Sequence, residues 1–390
     1  MSGNALITYT ETATAAAPDL AALWRGLMAL TVPEAATIPG VGSDADYRAF
    51  TVSDNRIGYE TRYADIVAAA LGPILPRIRA AARDARRGRP VVLVSTVMGS
   101  RPQYDRLGAD AAGEAISEAL AADVATVSAL LDDAADVLGI GSGCAAGTTA
   151  IGIGRGLVTS GRADFVVCLG AEMISLEVLT LFTALGGLAR DGVVRPFDEH
   201  RSGMLPGEGW GVLVLESQRW AQEPVARVLG YGEASDGYDI AAPSPDGIGL
   251  TAAIGQALDE SRCRIDDLGW VCAHGTGTRA NDALEARIYD RLFGERTQPL
   301  PCVSLKGMTG HCQGAAGVIE AAVACTSLVE GIVPPNAATR TIDPVVAALE
   351  RIRVPLTPGA FGASPAGGPR VLSTSFGFGG SVSAVVLGRP

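Results

Sequence analysis

Short unbroken apolar runs alternate along the chain with longer stretches whose apolar residues recur every three or four positions. The first pattern predicts strands buried on both faces and the second predicts helices with one apolar side. Strands are expected at 5–9, 90–95, 137–143, 165–169, 211–215, 268–273, 302–305, 371–375 and 382–387. Helices are expected at 18–31, 62–87, 108–132, 145–160, 249–261, 280–293 and 314–330. Gly72-Pro73 and Pro76 break the second helix, because proline removes a backbone donor and clashes with the preceding turn. A polar stretch from Val32 to about Asn55 reads as irregular. This alternation is that of an α/β protein whose sheets are covered on both faces. The element order recurs in the second half, which predicts an internal structural duplication that leaves no visible sequence repeat. The boundary is expected near 220–230, giving halves of 1–225 and 226–390.

Composition narrows the function classes. The chain has 390 residues, 48% of them hydrophobic and 19% charged, enough to bury a large core and too apolar for a disordered chain. Its net charge of −11 disfavours general nucleic-acid binding, which needs a basic footprint. No apolar run is long enough for a membrane helix, and the first residues lack the basic start of a secretory signal. The seven cysteines are scattered, form no CxxC pair and read as a reduced, cytoplasmic set with no zinc ribbon. Arg77, Arg79, Arg83, Arg86, Arg87 and Arg89 form a local basic cluster. It is either a solvated helix face or a docking patch for an acidic partner.

Candidate chemistry gathers where strands give way to Gly-rich loops, the usual ligand crevice of α/β sheets. Cys144 follows a strand and opens a small-residue helix, Cys144-Ala145-Ala146-Gly147. A helix N-terminus favours a thiolate, and strand–nucleophile–helix is the geometry of a nucleophile elbow. Only three histidines exist. His274 ends an apolar strand in Ala273-His274-Gly275-Thr276-Gly277-Thr278. His311 lies in Lys306-Gly307-Met308-Thr309-Gly310-His311, and His200 reads as a solvated loop residue. Among the 31 basic residues Lys306 is the sole lysine, either a chance survivor or a residue with a specific task. The run Ser375-Phe376-Gly377-Phe378-Gly379-Gly380-Ser381 is either a hairpin or a backbone cradle for an oxyanion.

Taken together these blocks resemble the β-ketoacyl-(acyl carrier protein) synthases, thiolase-fold condensing enzymes. The resemblance rests on Gly143-Cys144-Ala145-Ala146, Arg195-Pro196-Phe197-Asp198, Leu205-Pro206-Gly207-Glu208-Gly209, the two histidine blocks, Gly314-Ala315-Ala316-Gly317 with Glu320, and the closing Gly-rich block. Order and spacing agree across about residues 90–388. The resemblance implies a five-layered α-β-α-β-α sandwich of two duplicated halves. The first half carries the nucleophile and the second both histidines. It implies Cys144 as acyl acceptor, His274 and His311 as the two imidazoles, Lys306 as supporting lysine and Glu320 as its carboxylate partner. Thr276, Thr278 and Gly379 are implied on the substrate arm. The N–H groups of Cys144 and Phe378 are implied in an oxyanion hole, with Phe378 also a gate. No metal or redox cofactor is implied, since substrates arrive on the phosphopantetheine of an acyl carrier protein. The implied assembly is a dimer, with an identical chain or a ketosynthase-like chain-length factor. The first strand (Ala5-Leu6-Ile7-Thr8-Tyr9), the neighbours of Cys144 and Ser381-Val382 depart from the family pattern and point to a specialised enzyme. A non-elongating acyltransferase and a chain-length-factor-like subunit are the other readings of the same scaffold.

Overall fold

The buried apolar runs pair into one mixed sheet of eleven strands, seen in a computed structural model. It describes residues 4–38, 47–51, 62–97, 99, 112–239, 242–362 and 368–390. In chain order the strands are β1 (Ala5–Thr14), β2 (Val91–Ser95), β3 (Asp136–Ile140), β4 (Phe165–Glu172), β5 (Gly209–Ser217) and β6 (Ala226–Ser235). They continue as β7 (Leu268–Cys272), β8 (Leu300–Val303), β9 (Ile352–Arg353), β10 (Arg370–Phe376) and β11 (Ser381–Gly388). Their order across the sheet is β9-β8-β7-β10-β11-β6-β1-β5-β4-β2-β3.

That order holds a duplication. Outward from the middle the first half runs β1-β5-β4-β2-β3 and the second β6-β11-β10-β7-β8. In each, the first strand pairs antiparallel with the last, the last pairs antiparallel with the fourth, and the remaining pairs are parallel. The two sets join where Ala5, Leu6 and Ile7 of β1 pair with Val228, Arg227 and Ala226 of β6.

Alternating side chains assign the layers. Leu93, Val166, Cys168, Leu213 and Leu215 share a cluster with Trp270, Cys272, Val371 and Val385 of the other half. Helices α5 (Ala146–Thr159) and α10 (Ala316–Glu330) fill the space between them. The opposite faces of the same strands, such as Val92, Val94, Val167 and Val212, pack under α2 (Arg62–Leu71), α3 (Leu75–Arg83) and α4 (Ala112–Leu131). In the second half Val271, Leu372, Ala384 and Val386 pack under α7 (Ile248–Ser261) and α8 (Arg279–Leu292). The expected five layers are therefore present: helices, strands, the α5/α10 pair, strands, helices. The remaining helices are α1 (Leu20–Met28), α6 (Leu176–Ala184), α9 (Lys306–Thr309) and α11 (Pro344–Ala347).

Most expected elements form within a few residues of their predicted ends, and the break at Gly72-Pro73 is a short 3-10 turn between α2 and α3. The first strand runs on to Thr14, past its predicted end at residue 9. The start of the third predicted helix, 108–111, and half of the 32–55 stretch lie outside the described residues. Besides several pieces of two to four residues, two longer elements were not expected. Helix α6 starts at an Ser175 cap, whose side chain accepts the Val178 N–H. Strand β6 occupies the region read as a boundary. Its Gly230 and Gly232 hide it from a hydrophobic pattern, yet both are required: a Cβ at either would overlap the backbone carbonyl oxygens of Ala257 and Ala253 on α7.

Candidate active site

Three chain segments that leave the C-terminal ends of parallel strands meet above the α5/α10 pair. Cys144 follows β3, His274 follows β7, and Lys306 to His311 follow β8. The helix pair brings the first of these to the others. Gly147 at the start of α5 faces Gly317 at the start of α10, and a Cβ on Gly147 would lie 2.8 Å from the Val318 nitrogen and 3.0 Å from that of Gly317. Only glycines allow the two helix starts to approach so closely.

Cys144, His274, His311, Thr276, Thr278 and Phe378 line one cavity of about 360 Å³. The imidazoles of His274 and His311 meet edge to face with ring centres 5.1 Å apart. The Phe376 N–H donates to His274 Nδ1 at 3.3 Å, so the neutral ring carries its proton on Nε2. Burial pushes both imidazoles well below their ordinary value, and the Lys306 ammonium pushes them further in the same direction. Both are neutral donors at pH 7.

Lys306 and Glu320 stand behind the cavity. Lys306 Nζ donates to Glu320 Oε1 at 2.6 Å, both side chains buried. Burial and the partner's charge act in opposite directions on each. The ammonium is held above its ordinary value because the carboxylate outweighs desolvation, while burial raises the carboxyl. The His274 loop is fixed from α8: Glu285 accepts the N–H groups of His274 (2.7 Å) and Gly275 (2.8 Å), and Asp282 accepts that of Gly277 (3.1 Å). The His311 backbone is fixed by the Pro206-Gly207 block, with Gly207 N donating to His311 O at 3.0 Å and His311 N to Leu205 O at 2.8 Å.

The sulfur corrects one expectation. A helix N-terminus was expected to favour a thiolate, but burial raises the Cys144 thiol to about 12, with Glu172 adding to the rise and Lys306 opposing it. Desolvation outweighs the lowering effects of Lys306 and the local backbone here, so the resting group is a thiol. The backbone near Phe378 does reach the sulfur-bearing residue. A Cβ on Gly143 would lie 3.6 Å from the Phe378 nitrogen, and one on Gly377 would lie 3.4 Å from the Cys144 nitrogen. The Phe378 ring, 40% exposed, packs on Phe182 with centres 5.3 Å apart. Gly379 departs from its expected place: it is not part of the cavity wall, whereas Gly377, Phe378 and Gly380 are. Its φ of +82° places it at the turn of the β10–β11 hairpin, where glycine serves the backbone. His200 is exposed in its loop, as read.

Sequence reasoning missed Gln313 and Glu172. Gln313 sits in the Gly-rich turn after His311, and its Oε1 lies 3.3 Å from Cys144 Sγ. Glu172, the last residue of an apolar strand, accepts the N–H groups of Val97, Gly99 and Gly314. A carboxylate closing a buried strand was the one available signal. Four of the six arginines in the cluster are ion-paired, while Arg79 and Arg83 are exposed. Arg77 and Arg87 bind Glu216, Arg86 binds Asp84, and Arg89 binds Asp133 and Asp136. Arg86 and Arg87 also lie over the Trp220 ring. The cluster flanks the starts of β2 and β4, opposite the strand ends that carry the cavity.

Comparison with known proteins agrees with this architecture. The β-ketoacyl synthase N-terminal domain matches residues 43–221 and the β-ketoacyl synthase C-terminal domain matches residues 225–340. The tetracenomycin polyketide synthase ketoacyl synthase alpha subunit of Streptomyces glaucescens is 36% identical over 270 residues, 64% of this chain and 59% of that protein. The 3-oxoacyl-(acyl-carrier-protein) synthase 2 of Staphylococcus aureus is 37% identical over 210 residues, 52% of this chain and 51% of that protein. These matches thus span between half and three fifths of the relatives' length. Among solved structures, the ishigamide ketosynthase/chain length factor superposes with a TM-score of 0.80 at 28% identity, covering 100% of both chains. A ketosynthase in complex with its chain length factor from Xenorhabdus doucetiae shares the fold at 24% identity, with a TM-score of 0.82 over 100% of this chain and 98% of that one. With both domains matched and the whole fold shared, the chain belongs to the β-ketoacyl synthase family of acyltransferases.

Proposed function

We propose that the chain catalyses decarboxylative Claisen condensation between an acyl group held on Cys144 and a malonyl thioester carried by an acyl carrier protein. It acts in a type II polyketide or specialised fatty-acid pathway in the cytoplasm. The observation that carries this reading is one cavity lined by a single thiol and two neutral imidazoles, with a buried lysine–carboxylate pair behind them. The Cys144 sulfur attacks the acyl thioester and its proton leaves with the departing carrier thiol, giving an acyl-enzyme. N–H groups of Cys144 and Phe378 bind the oxyanion of that step. The malonyl thioester then loses carbon dioxide, and the imidazole N–H groups of His274 and His311 bind the enolate oxygen. The enolate carbon attacks the acyl-Cys144 carbonyl; the new carbon–carbon bond forms, the bond from Sγ to the acyl carbon breaks, and the departing thiolate takes a proton from solvent to restore the thiol. Thr276 and Thr278 line the approach and take the substrate arm. The role of the Lys306–Glu320 pair is electrostatic: its ammonium keeps both rings neutral.

The partner reading rests on β3. Among the described residues it has a neighbour on one side only, and its Leu138 is 50% exposed. An exposed apolar edge strand with no proline or lysine is a pairing surface. We assign it to a second ketosynthase-like chain, identical or paralogous.

The test is intact-protein mass after incubation with an acyl carrier substrate. Wild type gains the acyl mass and Cys144→Ala does not; an unchanged adduct in the variant refutes the assignment. His274→Ala and His311→Ala keep the adduct and lose condensed product. Acylation without carbon dioxide release from malonyl carrier supports a non-elongating acyltransferase instead.

A further inference from the structure

Gln313 is the one polar side chain in hydrogen-bonding contact with the Cys144 sulfur among the described residues. It is 3% exposed and adopts a left-handed backbone, φ +41°, that a non-glycine residue rarely takes. That conformation aims the side chain back across the α5/α10 junction. Its two amide atoms are told apart by their partners. Nε2 donates to the His311 carbonyl oxygen at 3.4 Å. A flipped amide would set Oε1 against that carbonyl, oxygen to oxygen. Oε1 therefore faces Sγ, and an amide oxygen can only accept. The sulfur must be the donor, which requires S–H.

We propose that Gln313 is a positioning residue that holds Cys144 as a protonated thiol until a substrate thioester displaces the contact. The inference rests on Cys144 being the acyl acceptor of the reaction above. The contact stabilises the thiol twice: it satisfies the S–H, and it would repel a thiolate. It also distinguishes the two covalent states of the enzyme. In acylation the S–H bond breaks, the bond from Sγ to the acyl carbon forms, the carrier C–S bond breaks and the proton leaves on the carrier thiol. The acyl sulfur has no hydrogen to give, so Oε1 loses its donor. The other groups around the sulfur do not replace this effect. Glu172 at the end of β4 and Glu320 on α10 act through space to raise the thiol, while Lys306 of α9 lowers it. His274 and His311 are neutral.

The experiment is the pH profile of iodoacetamide alkylation at Cys144, read by peptide mass, for the full-length wild type, Gln313→Leu and Gln313→Asn. Asparagine tolerates the left-handed backbone and keeps an amide, but is one methylene too short to reach the sulfur. Both variants are expected to alkylate about tenfold faster at pH 8, with the midpoint lowered by roughly one unit. Circular dichroism and thermal unfolding establish that each variant is folded, and the asparagine variant carries the test if the leucine variant is not. Folded variants whose midpoint equals that of wild type overturn the proposal. The readout is independent of condensation. A shifted midpoint in protein that never forms an acyl adduct refutes the proposed reaction and leaves the Gln313 contact standing.

Discussion

The resting sulfur is a thiol and the resting imidazoles are free bases, so none of the three reacting groups carries charge. That arrangement has a pH signature. Both histidines lie well below their ordinary value, so they stay neutral as pH falls past 6.5 and gain protons only further down. Carbon dioxide release from malonyl carrier is therefore expected to hold steady from pH 8 to below 6.5; an acidic limb centred at or above 6.5 contradicts the assignment. Lys306→Met removes a positive charge that depresses both rings, and the acidic limb should move upward. The same change strands Glu320 in the core, at a cost on the order of 3 kcal/mol in urea unfolding. A lysine that mattered only as packing would lower stability and leave the limb in place. At this scale the sequence was informative where residue types are scarce. One lysine and three histidines left few choices, and the chemistry followed. Gln313 was invisible because nothing in its own block distinguishes a glutamine that touches sulfur from one that faces solvent.

Helices α5 and α10 set the distance between the two halves of the site. Their starts touch through Gly147 and Gly317, with the Thr148 backbone directly opposite Gly317. Gly317→Ala forces that contact apart. The expected result is about 1–3 kcal/mol of lost stability together with slower acylation, measured by urea unfolding and by the rate of adduct formation. Unchanged values of both would show that the helix contact does not position Cys144. Element by element, the buried strands were legible because four or five consecutive apolar residues have few alternatives. Strand β6 was not, because α7 packs directly on its backbone and demands glycine where a pattern search wants valine. The start of α5 misled in a subtler way. Its small residues read as an elbow, but they also bury the sulfur, and burial raises the thiol that the reading expected to be lowered.

Across the whole molecule the strand order repeats in the two halves, as the recurring element order predicts. Two halves with no visible repeat share one connectivity, because packing constrains pairing and direction while leaving side chains free to drift. The first half ends in the exposed strand β3, where the sheet is unfinished. Purified protein is expected to sediment as a two-chain particle, and Leu138→Lys is expected to shift it toward a single chain by placing a charge on the pairing edge. A wild type that sediments as one chain overturns the identical-partner reading and directs the search to a paralogous ketosynthase-like chain.

The position of β1 in the middle of that sheet carries a consequence for biosynthesis. Its ten residues emerge from the ribosome some two hundred residues before its neighbours on either side, β5 and β6. Until then the strand has nothing to bond with. The seam of the finished enzyme is thus a long-lived sticky end on the nascent polypeptide, one that chaperones must shield and that long-range closure makes slow to resolve. Nascent chains stalled before Ser217 should be cut readily by protease within β1, and those stalled beyond Ser235 should resist.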